Sequence, residues 1–237
     1  MLGIIGAMDK EVDLLLEKMD GAREDRVGYT RYYAGMLLGV PVCVARCGIG
    51  KVHAALCALG MILKYRPEAI VNIGVAGALR DSLRVGDCVI ARSAVQHDMD
   101  TTPIGDPPGM ISGPDMVHFP CDEELAQLLE KAAAQCGLKT EQAAIATGDQ
   151  FITGTEKKDF LSEFFGAAAC DMEGGAIAQC CYEMGVPYAA CRCISDTRLG
   201  DSREYEEKAS FACAQEEKLL RAFLSLYRQK DEVQSHG

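Results

Sequence analysis

A chain of 237 residues is long enough for one large α/β domain that buries a core and keeps a cleft. It is 49% apolar and 25% charged, the usual balance of a water-exposed globular domain. The net charge of -11, with no block of Lys or Arg, excludes counterion-driven binding to nucleic acid and attraction to anionic lipid. A small diffusing molecule is the partner class that remains.

The first segment, "MLGIIGAMDKEVDLL", has no basic stretch ahead of its apolar residues and meets charge by Asp9. It reads as neither a signal peptide nor a membrane span, so the cytoplasm is the expected compartment. Residues 2–6 are predicted as a strand and 10–19 as a helix. A strand at 42–47, a helix at 51–65 and strands at 69–75 and 87–95 follow. Their near-continuous apolar runs suit strands covered on both faces. Residues 97–121 hold five of the eight prolines and cannot stay regular for long, which marks them as a functional or partner-contacting loop. Beyond it come a helix at 122–136, a strand at 143–147 and a helix at 156–165. The helix predicted at 174–184 carries Ala176, Ile177, Cys180, Cys181 and Met184 on one stripe, and Gly185 and Pro187 end it. A strand at 188–195 and a helix at 205–229 complete the pattern. One α/β domain over 1–230 is expected, with a polar, frayed tail at 231–237.

Twelve cysteines invite a disulfide or metal reading, but no C-x-x-C pair occurs and several cysteines sit inside apolar runs. They read as reduced, structural thiols. "HDMD" at 97–100 reads as a turn in a proline-rich loop, and no metal is expected. The glycines of "GIIG" and "CGIGK" match neither the P-loop nor the dinucleotide fingerprint.

What remains is a set of carboxylates at strand ends: Glu11, Glu173 and Asp196. In a mostly parallel sheet such ends share one edge, so these acids can converge. At an apolar rim, repulsion and poor solvation raise carboxyl pKa values and let one acid donate a proton while another stays ionised. That is the equipment for cleaving a glycosidic bond. Each acid taken alone reads sooner as a helix cap or a solvated loop residue.

Eight stretches in one register bear on that choice: "GIIGAMDKEVDLL" (3–15), "CGIGKVHAA" (47–55), "VNIGVAGAL" (71–79), "VGDCVIA" (85–91), "HDMDTT" (97–102), "TGDQFITG" (147–154), "CDMEGGAIA" (170–178) and "RCISD" (192–196). Together they resemble the nucleoside phosphorylase/hydrolase superfamily and, within it, the bacterial 5′-methylthioadenosine/S-adenosylhomocysteine nucleosidase branch. The resemblance implies a three-layer domain, a twisted mixed β-sheet flanked by helices, in a homodimer whose loop 97–121 lies near the neighbouring subunit's site. It implies an enzyme without cofactor that releases adenine from methylthioadenosine, S-adenosylhomocysteine and 5′-deoxyadenosine. By position, Glu11 matches the general base that activates water, and Asp196 the general acid that protonates adenine N7. Glu173 matches the ribose ligand, with Gly174 and Gly175 letting helix and ligand approach. Met172 packs beside the sugar, Phe151 stacks on the purine and the Ile152 backbone reads its edge. Ile49, Ala76 and Gly77 line the pocket, while Ser195 and Arg192 support the acid and the water site. Two departures stand out: Val75 replaces a hydroxyl residue, and Ile104 and Asp106 stand where aromatics of the specificity loop are usual. A phosphate-dependent phosphorylase and a silent nucleoside-binding protein are the alternatives.

Overall fold

The computed structural model describes residues 1–234. Eleven strands and six helices alternate along the chain: β1 (Leu2–Gly6), α1 (Asp9–Leu16), β2 (Asp20–Val27), β3 (Thr30–Leu37), β4 (Val40–Arg46), α2 (Lys51–Tyr65), β5 (Ala69–Asn72), β6 (Val75–Ala78), β7 (Cys88–Gln96), β8 (Phe119–Pro120), α3 (Glu123–Gln135), β9 (Thr140–Thr147), α4 (Thr155–Phe165), β10 (Ala167–Asp171), α5 (Gly174–Glu183), β11 (Tyr188–Asp196) and α6 (Ser202–Gln234). They form one mixed sheet in the order β2-β3-β4-β1-β5-β11-β6-β10-β9-β7-β8. β4, β1, β5 and β11 run parallel, as their unbroken apolar character implies.

Period-2 alternation sends successive side chains to opposite cores. Leu2 and Ile4 of β1, Val42 and Val44 of β4, and Cys191 and Cys193 of β11 pack with Val12, Leu129 and Phe223 under α1, α3 and α6. Ile5, Cys43, Ala45 and Ile194 point the other way, onto Ala54 and Met61 of α2 and Ile177 of α5. Helices on both faces of a twisted mixed sheet make the three layers that the sequence pattern implies.

The structure departs from the predicted elements in several places; β3, β8 and β10 were not predicted at all. The run 69–75 breaks at Ile73 and Gly74 into β5 and β6, and both halves pair with β11. β2 and β3 form an antiparallel hairpin at the sheet edge; every residue of β2 is exposed, so no apolar alternation marks it. Most importantly, β11 pairs with β5 through its first half and with both β6 and β7 through its second. The segment β11-β6-β10-β9-β7 therefore closes on itself, and β10 runs antiparallel to β6 with Cys170 opposite Gly77. That closure carries the end of β10 to the ends of β1 and β11.

The last helix continues to Gln234, past the predicted end of the domain. The rest of the expected polar tail, residues 235–237, lies outside the described residues. No helix among the described residues is long and apolar enough to cross a membrane.

Candidate active site

Glu11 is the third residue of α1, and its carboxylate turns back over the helix start. Oε2 accepts the N–H groups of Ala7 and Met8 at 2.7 and 2.9 Å, the reciprocal arm of a capping box. Oε1 accepts the Val75 N–H at 3.1 Å, so β6 is tied to the helix start. Burial pushes the Glu11 pKa up, and the N–H groups of Met8 and Val75 pull it partway back, followed by Arg192. Behind it stands Glu216 of α6, 2% exposed, whose Oε1 accepts the neighbouring Gly74 N–H at 2.5 Å. Burial, then the charge of Glu11, drive the Glu216 pKa well above the usual carboxylate range. As one acid among many on α6, Glu216 bears no mark in the sequence that singles it out.

Glu173 opens α5 but does not cap it. Asp171 Oδ2 accepts the Gly174 N–H at 3.0 Å and Thr147 Oγ1 the Gly175 N–H at 2.7 Å, so the first amides of α5 are satisfied by others. The Glu173 carboxylate is left for the cavity, where Oε1 accepts the Gly50 N–H at 2.8 Å. Burial, then the nearby Asp171 carboxylate, push its pKa up to about 7. The capping role open to this glutamate in the sequence is thereby taken by Asp171. Its neighbouring glycines also act differently from expectation. A Cβ on Gly174 would come within 2.6 Å of Asp171 Oδ2, and one on Gly175 within 3.0 Å of Thr147 Cβ and the Val95 carbonyl. They bring α5 against β9 and β10, not the helix against a ligand.

Arg192 sits beneath this floor, not in the cavity wall. Its guanidinium donates to Asp171 Oδ2 through Nε and Nη2 at 3.0 and 2.7 Å, and through Nη1 to the carbonyls of Asn72 and Cys191. It is 1% exposed and fully committed, so its influence on Glu11, Glu173 and Glu216 is that of a charge at a distance. The carboxylate of Asp171 and the amide of Asn72, which orient it, were not among the residues the sequence suggested.

Asp196 ends β11 opposite Gly77 of β6. Ser195 Oγ donates to Asp196 Oδ1 at 2.9 Å and stands 3.2 Å from the Ala76 carbonyl. A Cβ on Gly77 would lie 2.8 Å from Asp196 Oδ2, so a glycine is needed for the carboxylate to reach the cavity. Burial raises the Asp196 pKa, opposed first by the charge of Lys158.

Glu11, Glu173 and Asp196 border one cleft of about 210 Å³. Ile49, Ala76, Gly77, Phe151, Ile152, Met172 and Ser195 line it too, joined by Met8, Val75, Gln150 and Tyr205. Phe151 and Ile49 stand at the rim, 45% and 55% exposed, apolar surfaces available to a flat ring. The Tyr205 ring meets Phe151 edge-on at 5.5 Å. Among the described residues bordering the cleft there is neither lysine nor arginine; its charged lining is carboxylate, with Arg192 below the floor and Lys158 behind Asp196. Such a cavity favours charge that develops as a cation and disfavours an entering anion.

The loop 97–121 contains a 3₁₀ turn at Thr102–Ile104, an isolated bridge between Ile111 and Met116, and the two-residue strand β8 near its end. Asp98 accepts from Lys51 at 2.6 Å and from the Asp149 N–H, and Asp100 caps its own turn at Thr102. Ile104 is 81% exposed, and Asp106 accepts from Thr101 Oγ1. Neither borders the cleft. All twelve cysteines are free. Strand pairing gathers the sulfurs of Cys88, Cys191 and Cys193 within 4.8 Å, a group that linear spacing hides. All three side chains are buried in the apolar core.

Comparison with known proteins bears on this geometry. The sequence profile of the Phosphorylase superfamily matches residues 1–226. A 5′-methylthioadenosine/S-adenosylhomocysteine nucleosidase of Shewanella halifaxensis is 40% identical over 203 residues, covering 85% of this chain and 88% of that one. The nucleosidase of the same description from Neisseria meningitidis, solved in complex with methylthio-immucillin-A, superposes with a TM-score of 0.89 at 31% identity, covering 94% and 97% of the two chains. A futalosine hydrolase mutant of Helicobacter pylori gives 0.90 at 30% identity, covering 94% and 98%.

Proposed function

The chain belongs to the Phosphorylase superfamily, in its 5′-methylthioadenosine/S-adenosylhomocysteine nucleosidase family, and from that premise we propose that it hydrolyses the N-glycosidic bond of 5′-methylthioadenosine and S-adenosylhomocysteine. Adenine and the 5′-substituted ribose are the products; 5′-deoxyadenosine is a further expected substrate. One observation carries the reading: three buried carboxylates meet in a cleft bordered by no lysine or arginine among the described residues.

Asp196, made a readier proton carrier by burial, protonates purine N7 so that adenine departs neutral. Positive charge grows on the sugar, and Glu173 holds the ribose hydroxyls. Glu11 Oε1, with one acceptor direction left beyond its bond to Val75, takes a proton from the attacking water. Phe151 stacks on the purine beside the Ile152 backbone, Met172 packs under the sugar, and Ile49, Ala76 and Gly77 shape the walls. Ser195 orients the acid. Arg192 supports the carboxylates from below the floor, through Asp171.

The phosphorylase alternative needs a cationic clamp for phosphate, and Arg192 is bound to Asp171 and Asn72. Adenine release measured with and without phosphate or arsenate separates the two: turnover that requires either anion rejects the water mechanism. Tight binding of methylthioadenosine without adenine release would instead favour a silent binding protein. Futalosine belongs in the same panel, because a futalosine hydrolase is among the structural relatives.

The assembly we read is a homodimer. Val52 and Leu56 of α2 are 70% and 61% exposed and border an apolar groove with Ala176 and Cys180 of α5 and Met184 just past its end, beside the Gly50–Glu173 contact. A second copy covering this groove would bring its loop 97–121 to the site. Twelve free thiols suit a reducing, cytoplasmic setting.

A further inference from the structure

Asp196 has a neighbour that lies outside the cleft. Lys158, near the start of α4, is 0% exposed. Its ammonium donates to the carbonyls of Thr197 and Gly200 at 2.9 and 3.3 Å and stands 3.5 Å from Asp196 Oδ2. All three N–H directions are therefore used within one shell. The segment after Asp196 is pinned by two further ties: Arg198 donates to Asp159 through Nε and Nη2, each at 2.7 Å, and Glu204 accepts the Thr197 N–H at 2.7 Å.

Two carbonyls alone do not account for a lysine here. A neutral donor, or water, satisfies a carbonyl, whereas enclosing an ammonium costs several kcal/mol unless an anion answers it. The anion in reach is Asp196. From the elements packed around that carboxylate, Lys158 of α4 is the cation, opposed by Glu204 of α6, with the Cys170 thiol of β10 also facing it.

We propose that Lys158 is a positioning residue for the general acid: from behind the pocket wall it aims the Asp196 carboxylate at the purine and governs when that carboxylate holds a proton. This rests on the reading of Asp196 as the acid in glycosidic cleavage. While Asp196 is ionised the pair is closed. When Asp196 carries a proton, Lys158 keeps only its two carbonyls, and giving the proton to the leaving purine restores the pair. The cation thus favours transfer from oxygen to purine nitrogen. It also lowers the pH at which Asp196 loses its proton, so removing it moves that loss to higher pH.

The test is the pH profile of kcat/KM for adenine release from methylthioadenosine by the wild type, Lys158→Gln and Lys158→Arg. Glutamine retains a donor for the carbonyls without charge; arginine retains the charge. Activity needs protonated Asp196 and falls as pH rises through its titration. Lys158→Gln is expected to shift this alkaline limb upward by about one pH unit and to lower the plateau kcat/KM about tenfold, while Lys158→Arg leaves the limb where the wild type has it. Lys158→Met, an apolar chain of similar length, carries the same expectation if the glutamine variant does not fold. Superimposable profiles for the wild type and a neutral variant overturn the proposal. So does a series in which no neutral residue supports a folded protein, since Lys158 is then structural only. A wild type that releases no adenine removes the reading of the site itself, and this proposal with it.

Discussion

Asp196 and Glu11 ask opposite behaviour of the same chemical group, and their surroundings supply it. Asp196 faces a cation across 3.5 Å and one serine hydroxyl; Glu11 is held by three backbone N–H groups with a second carboxylate, Glu216, behind the turn it touches. Asp196→Asn is expected to reduce turnover by about two orders of magnitude or more while leaving methylthioadenosine binding nearly intact, checked by single-turnover rates beside equilibrium binding. Glu11→Gln should show a comparable loss, and unchanged turnover there would assign the base elsewhere. Glu173 carries a stability consequence. Its pKa rises from an ordinary 4.5 to about 7, so the folded state holds its proton more tightly than the unfolded chain. The associated stability is complete below pH about 4.5 and is lost as pH rises through about 7. Glu173→Gln should therefore be more stable than the wild type at pH 8, by on the order of 2–3 kcal/mol, and melt higher there, with the gap closing in acid. Sugar affinity should fall in the same variant. Equal melting temperatures at pH 8 would show that this carboxylate is not desolvated.

At the scale of elements, strands buried on both faces were legible because a continuous apolar run of five to nine residues has to be covered from both sides. β1, β4, β7 and β11 lie where the pattern predicted them to within a residue or two. β2 was not legible, since its eight residues are exposed and an edge strand gains its order from backbone pairing with β3. The division of 69–75 was hidden for the opposite reason: both halves are apolar, and only their pairing with β11 reveals the turn between them. α6 is the element most exposed to test. Phe223, 0% exposed, closes the core beneath β11 together with Leu219 and Leu220. Phe223→Ala should cost about 3–5 kcal/mol, seen as a lower denaturant midpoint. Because α6 also carries Glu216 and Tyr205, turnover in that variant should fall at temperatures where it is still folded. Full activity up to melting would uncouple the helix from the site.

For the whole molecule, the groove between α2 and α5 is one surface where a single copy leaves apolar side chains exposed. If the proposed dimer forms through this groove, Leu56→Glu, placing a charge on it, should give a monomer in light scattering where the wild type is a dimer, with lower activity; a dimer that persists in the variant, or a monomeric wild type, rejects that interface. The family and much of the alternation of strands and helices were legible in the order of residues along the chain; the convergence of Glu11, Glu173 and Asp196 was expected through the family resemblance, since each acid alone reads as a cap or loop residue and the closing sheet is what carries the end of β10 to the ends of β1 and β11. Which charges stand behind those acids did not follow. Lys158 looks like any lysine of a surface helix, Glu216 like any acid of α6, and Arg192 like a pocket residue. Burial, and the direction in which each side chain leaves its element, are set only when the sheet closes from β11 through β6, β10 and β9 to β7 and the helices pack over it, since a local sequence carries no record of its distant neighbours.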